Sequence, residues 1–368
     1  MLDNLTDEQR MLRDTVTTIL RDAETAGTDP WAGLAEIGLG ALPFSEEDGG
    51  FGSGTTELAL VVSELGRIRS STPFIASVVV GSALLRDRAS PEQKRELLPD
   101  LVVGSKTVTL AHYEPASLGG SGDVQTSATL KDGFYHLSGL KCLVEYGAKA
   151  DMLIVSATVA GQSGVSLFVV DRESAGVQIA PYHRPDGTFD ADVRLTDVVV
   201  PASRKLSEGN SEAVEAALRL GMALSCVEAH GAMVELQQQT LDYMRTRRQF
   251  GTPIASYQAL QHRAVDMFVE VEQARSMAEY ALGCLDLEGD EARLGPVAAK
   301  LFVAKAARIV GESAVQLHGA IGMTLESNAG RLFQRLTAFQ AKAPDANGGL
   351  ATLLEAPGSV LEGFADEA

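Results

Sequence analysis

Residues 240–262 read TLDYMRTRRQFGTPIASYQALQH, and this stretch says more about the fold than any other. Its pattern predicts a long helix that runs into RRQFG at 247–251, a turn at Gly251-Thr252-Pro253 and a second helix from Tyr257. One helix break therefore gathers a cation, an aromatic ring and an amide. Such a cluster suits a phosphate-bearing aromatic cofactor, although from the residues alone a basic helix C-terminus followed by a Gly-Pro stop is the simpler interpretation.

Hydrophobic periodicity divides the chain into three regions. Residues 1–105 show helical spacing with capping boxes at Thr6 and Ser90, which predicts an N-terminal all-α domain. Residues 106–205 hold short β-branched runs separated by Gly, Asp and Ser, which predict a middle β-barrel or sandwich domain. The predicted strands lie at 107–110, 124–130, 134–137, 152–156, 165–170 and 193–200.

Residues 206–368 return to helical spacing. Long helices are predicted over about 212–247, 255–288 and 291–322, and the short turns between them predict an antiparallel helical bundle. The tail from residue 343 is predicted to be partly irregular because it is rich in Pro, Gly and Asn. The expected fold class is therefore α+β, with helical domains on either side of a β domain.

Composition restricts the ligands. The 368 residues include 49 acidic and 31 basic side chains, so the formal charge is −18 and a nucleic-acid-binding surface is not expected. A polyanionic ligand must instead be bound by a few arginines at specific positions.

Cysteine usage and hydropathy indicate the compartment. Cys142, Cys226 and Cys284 are far apart and show neither disulfide nor zinc spacing, and the six histidines share no metal spacing. No basic and apolar leader begins the chain, and no run reaches about 18 apolar residues. A cytoplasmic protein without membrane insertion is predicted.

Two motifs resemble those of a known family. Arg247-x-x-Phe250-Gly251 followed by Tyr257-Gln258, together with QLHGAIG at 316–322, resembles the C-terminal half of the FAD-dependent acyl-CoA dehydrogenases. The resemblance covers the whole chain, including the order of the three regions, and implies a four-helix C-terminal bundle. It also implies FAD, an acyl-CoA substrate and an acceptor of the electron-transfer flavoprotein type. The residues implied to grip the ADP half of a neighbouring subunit's FAD are Arg247, Gln249, Phe250, Ile254, Tyr257, Gln258, Gln316 and Gly319.

The catalytic base of the family has no counterpart. In the family a glutamate removes the α proton of the thioester while a hydride leaves Cβ for the flavin. The two places at which that glutamate occurs correspond here to Gly221 and Ala343. Glu215 and Glu228 are the alternatives if the base is displaced.

The residues expected around the flavin ring also depart from the family. HYEP at 112–115 stands for the usual Thr-Glu-Pro segment, Leu143 for a tryptophan and Glu145 for a threonine. A carboxylate at this place repels developing negative charge, and leucine offers no large face for stacking. The glycines of 119–122 are interpreted as a phosphate cradle or, more simply, a surface turn.

One branch of the family combines these departures. MTLE at 323–326 with Arg331 and Arg335 resembles the actinobacterial steroid side-chain CoA-ester dehydrogenases, several of which are heterotetramers in which one of two unlike subunits carries the base. The leading hypothesis is a non-catalytic subunit paired with a second dehydrogenase-like subunit. The alternatives are a homotetrameric dehydrogenase with a displaced glutamate and a CoA-ester-binding scaffold without redox chemistry.

Overall fold

The computed structural model describes residues 5–68, 72–115, 124–207, 210–324, 327–342 and 346–354. These residues fall into two compact units. The first unit draws its described residues from 2–58 and 70–221, and the second unit from 59–69 and 222–368. Residues 119–122 and 343 and the pair 325–326, which carried sequence predictions, lie outside the described residues.

The N-terminal region is helical, as predicted. Its α-helices are α1 (Asp7–Ala26), α2 (Trp31–Glu36), α3 (Thr55–Arg67), α4 (Ser82–Arg88) and α5 (Pro91–Val102). Both predicted capping boxes are present: Thr6 and Gln9 exchange side-chain and backbone hydrogen bonds at the start of α1, and Ser90 and Gln93 do so at the start of α5.

A π-helix that the sequence pattern did not predict precedes α4. It spans Phe74–Gly81, and every residue in it is buried. The Ser77 hydroxyl accepts a hydrogen bond from the backbone amide of Val108 at 3.0 Å, so the π-helix is fixed to the first strand. Segments of this kind are rare and occur frequently at functional sites.

The middle region folds into a sheet. Its strands are β1 (Val108–Ala111), β2 (Ser127–Lys131), β3 (Phe134–Glu145), β4 (Met152–Val159), β5 (Ser166–Asp171), β6 (Val177–His183) and β7 (Phe189–Pro201). Within the described residues the order is β1-β4-β2-β3-β7-β6, and β5 pairs with β4. Side chains such as Leu137, Leu153 and Phe168 are completely buried and form its core.

Strand β6 was missed by the sequence prediction. It pairs only with β7 in the described sheet and therefore lies at an edge. Its residues are exposed or half-buried, and it contains Pro181, which cannot donate a ladder hydrogen bond. Val177 and Ile179 are β-branched, but Pro181 interrupts the run and counts against a strand, which is why the pattern was not recognised.

The C-terminal region is again helical. Its helices are α6 (Asn210–Thr246), α7 (Gln258–Cys284), α8 (Gly289–His318), α9 (Asn328–Ala341) and α10 (Ala346–Leu354). Helix α10 falls in the tail predicted as partly irregular. A Cβ on Gly349 would lie 2.9 Å from Leu301 Cδ2, so glycine lets α10 pack closely on α8. The α+β fold class is confirmed, whereas the domain boundaries at 105 and 205 stay a prediction.

Candidate functional site

A tight hairpin follows helix α6 and carries the predicted aromatic residue. Strands β8 (Arg248–Gln249) and β9 (Thr252–Pro253) pair antiparallel, so Phe250 and Gly251 form a two-residue loop. Their φ angles are 52° and 84°, as a type I′ turn requires. Phe250 leaves 93% of its surface exposed.

Phenylalanine is an unfavourable choice at this loop position. A positive φ is strained for a bulky residue, and Asn or Gly normally stands there. Because the ring of Phe250 is exposed, burial within its own chain does not offset the strain. Phe250 is therefore a candidate position for contact with another molecule.

Two of the predicted cofactor residues support this hairpin. Ile254 is buried, and its amide donates a hydrogen bond to the Arg247 carbonyl at 2.9 Å. The Tyr257 hydroxyl donates to the Gln249 carbonyl at 3.2 Å. Gln258 begins α7 and is exposed. Ile254 and Tyr257 thus fix the backbone from which Arg247 and Gln249 project.

The end of helix α8 carries the second motif. Gln316 is exposed in its last turn, and the helix ends at His318. Gly319 adopts φ 67° and ψ −144°, and no atom lies within 4 Å of the place where its Cβ would be. The backbone at Gly319 is therefore open to close approach by a ligand.

A ring stack brings the two motifs together. Tyr243 lies one helical turn before Arg247, and its ring centroid is 4.6 Å from that of His318, with 21° between the ring planes. His318 directly precedes Gly319. The residues predicted from two distant parts of the chain are thus gathered at adjoining helix ends.

Arg247 differs from its arginine neighbours. Arg245 pairs with Asp242 at 3.0 Å, and the Arg248 guanidinium donates to the Gly251 carbonyl at 3.4 Å. Among the described residues, none accepts a hydrogen bond from the Arg247 guanidinium or pairs with it, and Arg247 is exposed. A guanidinium with its donors available, beside the exposed Gln249 and Gln316, suits a phosphate-bearing ligand.

A buried ion pair lies in the first unit. The Lys141 ammonium in β3 donates to the Glu114 carboxylate at 2.6 Å, and the two side chains are 0% and 4% exposed. Lys141 also donates to the Ser156 hydroxyl at 2.9 Å and to the His112 carbonyl at 3.2 Å. Glu114 accepts from the amides of Gln125 and Thr126 and from the Thr126 hydroxyl.

The charges of this cluster follow from its hydrogen bonds. Burial alone would raise the pKa of Glu114, but the bonds from Lys141, Thr126 and the two amides hold it below the ordinary value. Burial lowers the pKa of Lys141 to about 8, opposed by Glu114. Both groups are therefore charged at neutral pH, and the pair joins the end of β1 to β3 and β4.

Acid should destabilise the first unit through His112. Burial, and secondarily the Lys141 ammonium, lowers the pKa of His112 from 6.5 to about 4. Between these values the unfolded chain binds a proton that the folded chain does not bind. The free energy of unfolding should therefore fall as the pH falls through this window, by roughly 3 kcal/mol at its lower end.

Urea unfolding followed by the fluorescence of Trp31 measures this effect, because the chain has 1 tryptophan and it lies in the first unit. His112→Asn should remove the part of the loss between about pH 6.5 and 4 that arises from His112. His262→Asn, which removes an exposed histidine on α7, is the matched control. A His112→Asn protein with the full wild-type pH dependence would contradict the assignment.

The segment corresponding to the family's ring contacts has an unusual backbone. Leu143 has φ 52° at a bulge in β3, and it is 36% exposed. Burial, with a contribution from Glu145, raises the pKa of Tyr113 to about 12, so the phenol and the carboxylate lie within electrostatic reach. That Tyr113, Leu143 and Glu145 stand at the places of the family's threonine, tryptophan and threonine stays a prediction.

Gly221 has no room for a larger side chain. It is buried, and a Cβ built on it would lie 2.8 Å from Val80 Cγ2 in the π-helix, which is shorter than real contacts. Valine is branched at Cβ and cannot swing away freely. A glutamate at 221 would therefore require Val80 to move.

The displaced-base candidates make ion pairs. Glu215 pairs with Arg219 at 3.6 Å and is exposed. Glu228 accepts from Arg335 at 2.6 Å, and Arg335 also donates to the Ile68 carbonyl at 3.0 Å. Glu228 is therefore held in a helix-packing contact of the second unit.

Sequence reasoning missed the Glu114–Lys141 pair and the Tyr243–His318 stack. Lys141 is buried in β3, but the predicted strand at 134–137 ended before it, so its need for a buried acid was not recognised. Tyr243 and His318 gave no such signal because they meet only in the tertiary structure.

Known proteins with similar sequences identify the family. The family model for the acyl-CoA dehydrogenase N-terminal domain matches residues 6–105, and that for the C-terminal domain matches residues 210–341. The L-prolyl-(peptidyl-carrier protein) dehydrogenase of Pseudomonas fluorescens is 31% identical over 309 residues, which cover 79% of this chain and 80% of the relative. The chain belongs to the acyl-CoA dehydrogenase family.

Other similarities agree with this membership. The probable acyl-CoA dehydrogenase YngJ of Bacillus subtilis is 29% identical over 362 residues, covering 90% of this chain and 92% of the relative. The fold is similar to that in the crystal structure of the ChsE4–ChsE5 complex from Mycobacterium tuberculosis, with a TM-score of 0.83 and 24% identity. That similarity covers 96% of this chain and 99% of the other.

FAD is the cofactor of this acyl-CoA dehydrogenase family, and the hairpin fits one half of it. Arg247 offers an available guanidinium, Gly319 offers an open backbone and Phe250 offers an exposed ring, which together suit the ADP half. Leu143 and Glu145 do not provide the stacking and donor groups that suit the isoalloxazine half.

Across the described ranges, no helix combines the length and apolar character needed to cross a membrane.

Proposed function

We propose that this acyl-CoA dehydrogenase chain is the non-catalytic subunit of a heteromer. It contributes Arg247, Phe250, Gln316 and Gly319 to an FAD whose isoalloxazine ring and catalytic base belong to a second dehydrogenase-like subunit. The observation that carries the proposal is the contrast between the two halves of the site. The ADP-side groups are exposed and available, whereas the base position is a glycine packed against Val80.

Packing as well as sequence supports the absence of a catalytic base at position 221. Gly221 lies inside helix α6, where glycine costs roughly 1 kcal/mol relative to alanine. Its close approach to Val80 gives that glycine a structural purpose. A chain that lacked the base through one chance substitution would be expected to keep the space that the base occupied.

The ion pairs of the other acids weigh against a displaced base. A general base needs a carboxylate that reaches the substrate proton within about 3 Å. Glu228 is already hydrogen-bonded to Arg335, which in turn holds the Ile68 carbonyl. Freeing Glu228 would leave Arg335 without its carboxylate, so the homotetrameric alternative requires a rearrangement of this packing.

The role of this chain in the reaction is therefore to bind and orient. When FAD is bound, it supplies the hydride acceptor of the desaturation. Arg247 would hold the pyrophosphate through charge-assisted hydrogen bonds, and Gly319 would let the backbone approach it. Phe250, held by its turn, would cover apolar surface at the junction with the partner subunit.

The partner and substrate are proposed from similarity. The ChsE4–ChsE5 structure is a complex of two named chains, which supports a heteromeric assembly. A steroid side-chain CoA ester is the proposed acyl-CoA, on the resemblance of MTLE at 323–326 to that branch. An acceptor of the electron-transfer flavoprotein type and a cytoplasmic location complete the proposal, and all three cysteines are free and buried.

Expression with and without the partner tests the proposal. The chain produced alone should carry far less than one FAD per chain, whereas co-expression with a second dehydrogenase-like chain should give a yellow complex. Flavin absorbance per mole of protein and native mass measure both quantities. If the chain alone is stoichiometrically yellow and reduces a ferricenium acceptor with acyl-CoA, it is a self-sufficient dehydrogenase. If no partner brings flavin to it, the scaffold alternative is favoured.

A further inference from the structure

The Tyr243–His318 stack connects the two parts of the candidate FAD site. The ring centroids are 4.6 Å apart and the planes differ by 21°. Both residues belong to the second unit, and neither was predicted as a cofactor residue. Stacked rings of this kind attract each other beyond the burial of their surface.

Tyr243 is rigidly linked to Arg247. The Arg247 amide donates to the Tyr243 carbonyl at 2.8 Å, so Arg247 continues the helical hydrogen-bond pattern past the end of α6. The Arg247 carbonyl in turn accepts from the Ile254 amide at 2.9 Å. A change in the position of Tyr243 is therefore transmitted to Arg247 through one helical turn.

His318 is equally constrained. Its Nδ1 lies 2.9 Å from the Ala314 carbonyl, which can only accept, so Nδ1 carries the proton. The side chain is buried, and a Cβ on Gly322 would lie 2.8 Å from His318 Cβ. The ring is thus held between helix α8, the following 3₁₀ turn and Tyr243. The position of Gly319, the next residue, is fixed by that of His318.

We infer that Tyr243 and His318 are positioning residues for FAD, and this inference rests on the proposed function. Their stack sets the distance between the Arg247 guanidinium and the Gln316–Gly319 backbone, which must grip the same ADP half together. A bidentate guanidinium contact is sensitive to a displacement of about 1 Å. Loss of the stack should therefore weaken FAD binding although neither ring needs to touch FAD.

The test uses the purified complex with its partner subunit. Tyr243→Leu should release FAD about fivefold to tenfold faster than the wild type, because about 1–1.4 kcal/mol of positioning is lost. Tyr243→Phe keeps the stack and should release FAD at the wild-type rate. The dissociation rate is read from flavin fluorescence after dilution, and the melting temperature is measured for each variant. Tyr280→Leu is the matched control. Tyr280 is partly exposed and lies near the C-terminal end of α7, whereas the candidate site is at the N-terminal end.

The outcomes separate this inference from the proposed function. If Tyr243→Leu lowers only the melting temperature and keeps the wild-type FAD dissociation rate, the stack is merely structural and the inference is wrong. If Tyr243→Phe loses FAD as fast as Tyr243→Leu, the hydroxyl and not the stack matters, which also overturns it. If Tyr243→Leu fails to fold, the FAD dissociation rate is measured on His318→Phe, which retains an aromatic ring. Retention of FAD by Arg247→Ala would instead remove Arg247 from the site, and a chain that is stoichiometrically yellow when produced alone would overturn the proposed function itself.

Discussion

Arg247→Ala should strip FAD from the heteromeric complex without unfolding the chain. Among the described residues, none accepts a hydrogen bond from the Arg247 guanidinium, so its removal breaks no contact of the chain's own. A charge-assisted contact to a pyrophosphate is worth about 1.5–3 kcal/mol, which corresponds to a rise in the FAD dissociation constant of roughly 10- to 100-fold. Equilibrium dialysis with flavin absorbance measures this constant, and the melting temperature of the FAD-free complex should not change.

Arg245→Ala is the matched control for this prediction. Arg245 lies two residues earlier and is 65% exposed, and its contact is with Asp242 of its own helix. It removes the same charge without removing the proposed contact. Equal loss of FAD from the two variants would show a general electrostatic effect and would contradict a specific role for Arg247. Arg247→Lys should bind FAD with intermediate affinity, because a lysine retains the charge but not the planar fork.

Local rules of sequence predicted much of the secondary structure. The capping boxes and the end of the helix near Thr246 follow from residues within a few positions of one another. The predicted turn at Gly251-Thr252-Pro253 is wrong by one residue, because the loop is Phe250-Gly251 and Thr252-Pro253 pair in β9. The exposed Phe250 and the open Gly319 agree with the motif-based expectation, because both are set by turn chemistry. Their role in FAD binding stays a prediction.

The rest depends on tertiary packing that no local pattern carries. The π-helix over Phe74–Gly81 has the same apolar composition as an ordinary buried helix, so the packing of Val80 on Gly221 was invisible in the sequence. The edge strand Val177–His183 alternates only over its first residues, and Pro181 then interrupts the pattern. The stack of Tyr243 on His318 joins residues that meet only when α6 and α8 pack.

Lys141→Met should destabilise the first unit by about 3–5 kcal/mol, because the substitution leaves the Glu114 carboxylate buried without its cation. The Ser156 hydroxyl and the His112 carbonyl also lose a donor. Urea unfolding followed by Trp31 fluorescence measures the change. Lys106→Met is the matched control: the Lys106–Asp100 pair has a similar separation, 2.7 Å, but both side chains are about half exposed, so stability should hardly change.

The double variant Glu114→Gln/Lys141→Met separates the ion pair from the packing around it. The double variant buries no unpaired charge, because both members of the pair are neutral. Its loss in free energy of unfolding should therefore be well below the sum of the losses of the two single variants. Under the proposed function the ring of FAD lies on the partner subunit, so the Glu114–Lys141 pair serves only the fold of this chain. The complex of the double variant should therefore keep FAD at temperatures where it stays folded. Loss of FAD from a folded double variant would place the flavin ring in this chain's own β domain and would favour the self-sufficient dehydrogenase.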